Sequence, residues 1–130
     1  MTALREQVLD RDSRMCAAVG VSGIEHGPLT EQHRINRGMG GDATLDVFEN
    51  LMCLCLFCNV RLEQEEAWAS VGRAWGWKLT AGEDPGEVAV WFAWAREWRL
   101  LLPTGDYLRV HARDGRTTSP DPFEAWRLIP

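Results

Sequence analysis

The sequence predicts an α+β fold, with a strand-loop-strand-helix core preceded by a short helix and followed by an antiparallel β meander. Three observations carry that expectation. Two short runs, residues 29–35 and 51–55, flank the glycine-rich stretch Arg37-Gly38-Met39-Gly40-Gly41-Asp42, which is too rich in glycine for a regular element. A helical pattern then runs from Leu56 or Phe57 to about Trp75, where Gly76 is a reasonable stop. Beyond the turn signal Asp84-Pro85-Gly86 come three runs rich in aromatic and β-branched residues.

In order, Leu4 and Val8 stand four apart among charges, predicting a short amphipathic helix that ends near Ser13. Cys16, Val19-Gly20 and Gly27-Pro28 mark a turn region containing Ile24 and His26. Residues 29–35 read as the first strand of a hairpin, carrying His33 near its end. Residues 36–49 read as a long loop of the kind usually retained for function. The apolar run Leu51-Met52-Cys53-Leu54-Cys55 reads as the second strand. On the helix that follows, Val60, Ala67, Val71 and Ala74 are expected along the buried side, and Glu63, Glu65 and Glu66 on a solvated face. Residues 88–94, 98–102 and 107–111 read as the strands of the meander. The tail is expected to be loose between Gly115 and Pro122, with Phe123, Trp126, Leu128 and Ile129 docking back. The chain divides on this reading into a core, residues 1–78, and a tryptophan-rich β extension, residues 79–130, packed on it.

At 130 residues and 45% hydrophobic the chain can bury a real core. A net charge of −5 is opposite to that of a general nucleic-acid coat, so any DNA contact has to be local. No apolar run approaches the ~18 residues of a membrane span and no leader pattern opens the chain, so a soluble, intracellular protein with no membrane partner is expected. Three of the four cysteines, Cys53, Cys55 and Cys58, crowd into six residues, which favours metal binding or burial over a disulfide framework.

His33 at a strand end, Asn50 beyond the Gly-Met-Gly-Gly loop, and Asn59 just after Cys55-Leu56-Phe57-Cys58 together resemble the HNH nucleases, particularly the small HNH proteins of actinobacterial phages. The likeness covers roughly residues 4–77. It implies a ββα-metal (HNH-like) core and a metal-dependent endonuclease cutting DNA phosphodiester bonds in the cytoplasm of a bacterial host. His33 matches the general base, Asn50 the residue that fixes the base and its loop, and Asn59 the helix-borne ligand of Mg²⁺ or Mn²⁺. Chemically the assignments are sound: histidine titrates near neutrality and an amide oxygen can ligate a hard cation. Gln32 stands where the family usually places Asp or His as the other ligand, so a further carboxylate is needed; Asp42, Asp46, Glu49 and Glu63 lie near enough in sequence, which does not select among them. Arg34 and Arg37 match phosphate-gripping positions, the competing reading being a salt bridge to Asp42 or Asp46.

Many HNH proteins flank the site with two Cys-x-x-Cys knuckles for structural zinc. Here the upstream one is Cys16-Ala17-Ala18-Val19, with valine where the second cysteine belongs. Cys16, Cys55 and Cys58 with His26, or with Cys53, complete a Zn²⁺ set on one reading; on the other, zinc is replaced by packing of Val19, Leu54 and Phe57. Cys53 is most simply a buried small hydrophobe. Trp68 and Trp75 are expected in the core, whereas strand alternation cannot bury Trp91, Trp94 and Trp98 on one face. Some are then exposed, and the alternative function is a catalytically degenerate HNH fold that binds a host or phage protein, or DNA, through this half.

Overall fold

The computed structural model describes residues 2–20, 27–36 and 43–114. Expectations for His26, Arg37, Asp42 and the tail from Gly115 onward lie outside these residues. Among them the protein is a small α+β structure with three α-helices and two antiparallel sheets.

Helix α1 (Thr2–Arg11) buries Val8 and Leu9 and packs on both strands of the first sheet. Its end is fixed by charge. Arg11 pairs with Asp12 (Nε to Oδ1, 2.7 Å) and donates to the carbonyls of Phe48 and Leu51, while Asp12 accepts the main-chain N–H of Cys53 at 2.8 Å. Both side chains are almost wholly buried, and the pair holds because each partner is also hydrogen-bonded to the main chain, Arg11 through both terminal nitrogens and Asp12 through Oδ2. Strands β1 (Leu29–His33) and β2 (Leu51–Cys55) pair from Leu29 opposite Cys55 to His33 opposite Leu51. All five residues of β2 are buried; α1 and the next helix both contact the pair, which explains the unbroken apolar run.

The expected single helix is two. Helix α2 (Leu56–Gln64) and helix α3 (Glu66–Ala74) are separated by Glu65, whose backbone is extended at φ −115°, ψ 115°. The break lets α3 return against α2. They meet at Gly72, where any Cβ would lie 2.5 Å from a Leu62 methyl. Of the expected apolar stripe only Val71 is buried; Val60, Ala67 and Ala74 are exposed, and Cys58, Leu62, Trp68, Ala69 and Val71 face inward instead. Gly76 ends the unit with φ +76°, and its Cα passes so near Ala89 that a Cβ would fall 2.0 Å from that carbonyl oxygen.

Strands β3 (Val90–Phe92), β4 (Glu97–Leu101) and β5 (Tyr107–Val110) form the meander in the order β3-β4-β5. The tryptophans here are not an exposed cluster. Trp91 and Trp98 are cross-strand partners on one face, 5.6 Å between ring centroids, and both are buried; Trp94 sits half-buried in the turn between β3 and β4. The expectation failed because it placed Trp94 on a strand. Trp75 and Trp77 meet edge to face at 5.0 Å, Trp75 packs on Trp91, and Trp77 donates its indole N–H to the Trp91 carbonyl at 2.8 Å. One apolar core therefore runs from Cys16 and Met52 through Leu62 to Trp98 and Leu101.

Arg34 locks the two sheets together. It is fully buried, and its guanidinium donates to the carbonyls of Gly76 (2.7 Å), Glu49 (2.9 Å), Pro85 (2.9 Å) and Val88 (2.5 Å). Burial pushes its pKa down to about 9, so it stays cationic at neutral pH, balanced by carbonyl dipoles rather than by a bonded carboxylate. Buried in this way, Arg34 is not placed to grip a phosphate, and it does not pair with Asp46; Asp42 lies outside the described residues. Arg34→Met should cost about 3–5 kcal/mol, because several buried acceptors lose their donor at once. Urea unfolding measures this, and Arg34→Lys, with three donors in place of five, should recover only part of the loss.

Candidate functional site

The site begins where β1 ends. Past His33 the chain is held by Asn50, a fully buried residue whose main-chain carbonyl accepts the Arg34 N–H at 2.8 Å. Its side-chain Oδ1 accepts from the Ile35 N–H (2.8 Å), and its Nδ2 donates to the carbonyls of Ile35 (3.1 Å) and Leu45 (3.0 Å). One amide thus joins the segment after His33 to the loop around Leu45. That loop delivers Asp46, whose Oδ1 lies 2.7 Å from His33 Nε2. The bond fixes the ring: when the imidazole is neutral, Nε2 carries the proton and donates it to Asp46, leaving Nδ1 as the basic nitrogen.

Glu31, Gln32, His33, Asn36, Asn59 and Glu63 line one cleft of about 260 Å³. Strand β1 supplies one wall and α2 the other, with Asn59 and Glu63 four residues apart and so on one helical face. Asn59 donates through Nδ2 to Thr30 Oγ1 at 2.8 Å, and Thr30 in turn donates to the Leu54 carbonyl. The amide is thereby oriented with Oδ1 as the atom left to ligate a cation. Glu63 accepts from Asn36 at 3.3 Å and from Lys78 at 3.2 Å. Gln32 is almost wholly buried and spends its Nε2 on the His33 carbonyl at 3.0 Å. The walls hold two carboxylates, Glu31 and Glu63, the second of them already paired with Lys78 at the rim.

Three residues singled out from sequence, Gln32, His33 and Asn59, therefore share a cleft, with Asn50 behind them. Arg34 is removed from the surface, and Arg37 lies outside the described residues. Of the four carboxylates left open, Asp46 bonds the histidine and Glu63 enters the cleft, while Glu49 contributes its main-chain carbonyl to Arg34. Asn36 was not anticipated. The spacing of Asn59 and Glu63 was the signal that could have favoured Glu63.

Where β2 runs into α2, the sulfurs of Cys16, Cys55 and Cys58 lie within 4.8 Å of one another, all buried, and this group can hold a metal ion. Cys55 caps α2 by accepting the Cys58 N–H at 3.5 Å. A hydrogen bond from the Cys58 thiol draws the Cys16 pKa down to about 6, while the same contact and burial push Cys58 and Cys55 upward, so the trio favours one thiolate among two thiols. Cys53 is not part of the group; burial raises its pKa to about 12, as fits a small core residue. The packing substitute for zinc is not present either. Val19 and Phe57 are 37% and 50% exposed, leaving only Leu54 in the interior. His26 lies outside the described residues.

In metal-free protein, thiolate absorbance in the ultraviolet should titrate as one group near pH 6, and Cys58→Ala should move that titration up toward the ordinary thiol range. Cys16 is an acid whose folded pKa lies below its unfolded one. Its contribution to stability is complete above the unfolded thiol pKa and is lost as pH falls through about 6. No family model, no curated protein and no solved structure matches the chain.

Proposed function

We propose that the chain is an HNH-like, divalent-cation-dependent endonuclease that hydrolyses DNA phosphodiester bonds, with β1, β2 and α2 as a ββα-metal core. One observation carries the reading: His33, oriented by Asp46, opens into the same cleft as Asn59 and Glu63. A base beside a hard-cation site is what phosphodiester hydrolysis requires.

In this reading His33 Nδ1 takes the proton from the attacking water, and the Asp46 carboxylate stabilises the imidazolium that results. Asn50 has no contact with substrate; it keeps the backbone after His33 and the Asp46 loop in register. Asn59 Oδ1 and a Glu63 oxygen are the donors for Mg²⁺ or Mn²⁺, and Gln32 is the neutral neighbour where a carboxylate would bind more tightly. These are hard oxygen donors, which fits such an ion and not a thiophilic one. Bound there, the ion supplies charge neutralisation at the phosphate and the departing oxygen. The thiol group of Cys16, Cys55 and Cys58 suits structural Zn²⁺, which would pin the start of the helix that carries Asn59 and Glu63.

Plasmid nicking with Mg²⁺ and with Mn²⁺ tests the assignment. His33→Ala should lower the rate at least about 100-fold in a protein that still folds, and a rate equal to the parent's would sink the reading. Asp46→Asn should slow nicking as well, by loosening the ring's orientation. Gln32→Asp should lower the cation concentration needed for half-maximal activity, since it adds a carboxylate to the cleft.

A further inference from the structure

We infer that Lys78 is a phosphate-binding residue of the cleft between β1 and α2, held on Glu63 until a divalent cation takes that carboxylate and then able to grip a DNA phosphodiester. The cation and the DNA rest on the nuclease reading; the arrangement around Glu63 does not.

Lys78 is the chain's single lysine. Its ammonium lies 3.2 Å from Glu63 Oε1, and Asn36 Nδ2 lies 3.3 Å from Oε2, so each oxygen that could meet a cation already has a donor. The lysine contact is exchangeable, because the side chains of Lys78 and Glu63 are 23% and 38% exposed and water competes for both. The root of the lysine is fixed. Its main-chain N–H donates to the Gly72 carbonyl at 3.1 Å, that of Trp77 to the same carbonyl at 2.8 Å, and that of Leu79 to the Arg34 carbonyl at 2.7 Å. The last bond ties this segment to the residue that follows His33. A flexible four-carbon stem on a fixed root lets the ammonium pass from one oxygen to another without the backbone moving.

Charge gives the exchange its direction. Among the described residues the cleft walls carry the carboxylates of Glu31 and Glu63 and neither Lys nor Arg, so an approaching phosphodiester meets negative charge first. Lys78 and Glu63 together are neutral. A divalent ion on Glu63 adds two positive charges beside the ammonium, and a phosphodiester relieves the repulsion between them. Cation and DNA therefore each tighten the binding of the other, since coupling between two ligands is reciprocal. In a chain of net charge −5, DNA binding is in this way tied to a cleft that already holds its cation.

A labelled DNA oligonucleotide, single-stranded and then duplex, tests the assignment by anisotropy in Mg²⁺ and in EDTA, with His33→Ala protein used as the parent so that the DNA stays intact. Mg²⁺ should tighten binding about tenfold. Adding Lys78→Met should remove most of that gain and flatten the salt dependence by about one unit of slope. Near-UV circular dichroism should be unchanged, and Lys78→Arg should keep part of the gain. Without DNA, the same Lys78→Met change should act with the opposite sign: Mn²⁺, followed by electron paramagnetic resonance, should bind several-fold more tightly, because its competitor at Glu63 is gone. A pair that served only to tie α2 to the segment after α3 would move both affinities the same way or neither. No Mg²⁺-dependent DNA binding by the parent, an equal gain in Lys78→Met, or a Mn²⁺ affinity that fails to rise overturns the role of Lys78 and leaves nicking to be judged alone. A Lys78-dependent gain, in a chain that nicks nothing when His33 is present, upholds that role and removes the nuclease.

Discussion

A buried guanidinium governs this structure. Arg34 follows His33 directly, and its donors reach the 3-10 turn before β2, the glycine after α3 and the approach to β3. A cation in an apolar interior is tolerated only when its hydrogens are all met, and main-chain carbonyls converging from several segments achieve this without an opposing buried charge. The residues on either side are constrained as a consequence. With Arg34 drawn inward from the end of β1, His33 keeps the outward face of the strand, and Ile35 is handed to Asn50. A catalytic candidate is thus positioned by a charge that solvent does not reach.

Around that anchor, two clusters of opposite chemical character both draw on α2. The cleft wall offers amide and carboxylate oxygen from Asn59 and Glu63; the thiol group offers sulfur from Cys55 and Cys58. Cys58 and Asn59 are adjacent on α2, so a rotation of about 100° around the helix separates a sulfur donor from an oxygen donor. Any movement of the helix start is felt in both, because Cys55 is at once the last residue of β2, the cap of α2 and a member of the thiol group.

How far the sequence disclosed this depended on the range of the interaction concerned. Strand β2 was legible to the residue, since an unbroken apolar run covered on both faces has one reading. Strand β1 was legible as the hairpin partner but was expected to run to Ile35 and ends at His33, where Arg34 turns inward; its register with β2 was not read from the sequence. The break at Glu65 left no trace, because nothing at that position resists a helix; it arises from the approach of Gly72 to Leu62, a contact between helices. The role of Arg34 was hidden for a similar reason. Its partners at Gly76, Pro85 and Val88 are main-chain atoms more than forty residues away, and a carbonyl has no letter in the sequence. In the site, His33, Asn50 and Asn59 were readable from their order, whereas Asp46 and Glu63 became distinguishable from Glu49 only when the loop and helix were placed in space.

The Lys78 contact to Glu63 gives the cleft a property of its own. An ammonium 3.2 Å from the carboxylate already occupies part of its field, and with the Glu63 side chain 38% exposed that contact is weakened by solvent and salt. On the proposed reading, a cation that enters the cleft has to displace this ammonium from the Glu63 carboxylate. Sodium or potassium would gain little over it, whereas a divalent ion would bring twice the charge to the same oxygens, so the lysine would set a threshold by valence.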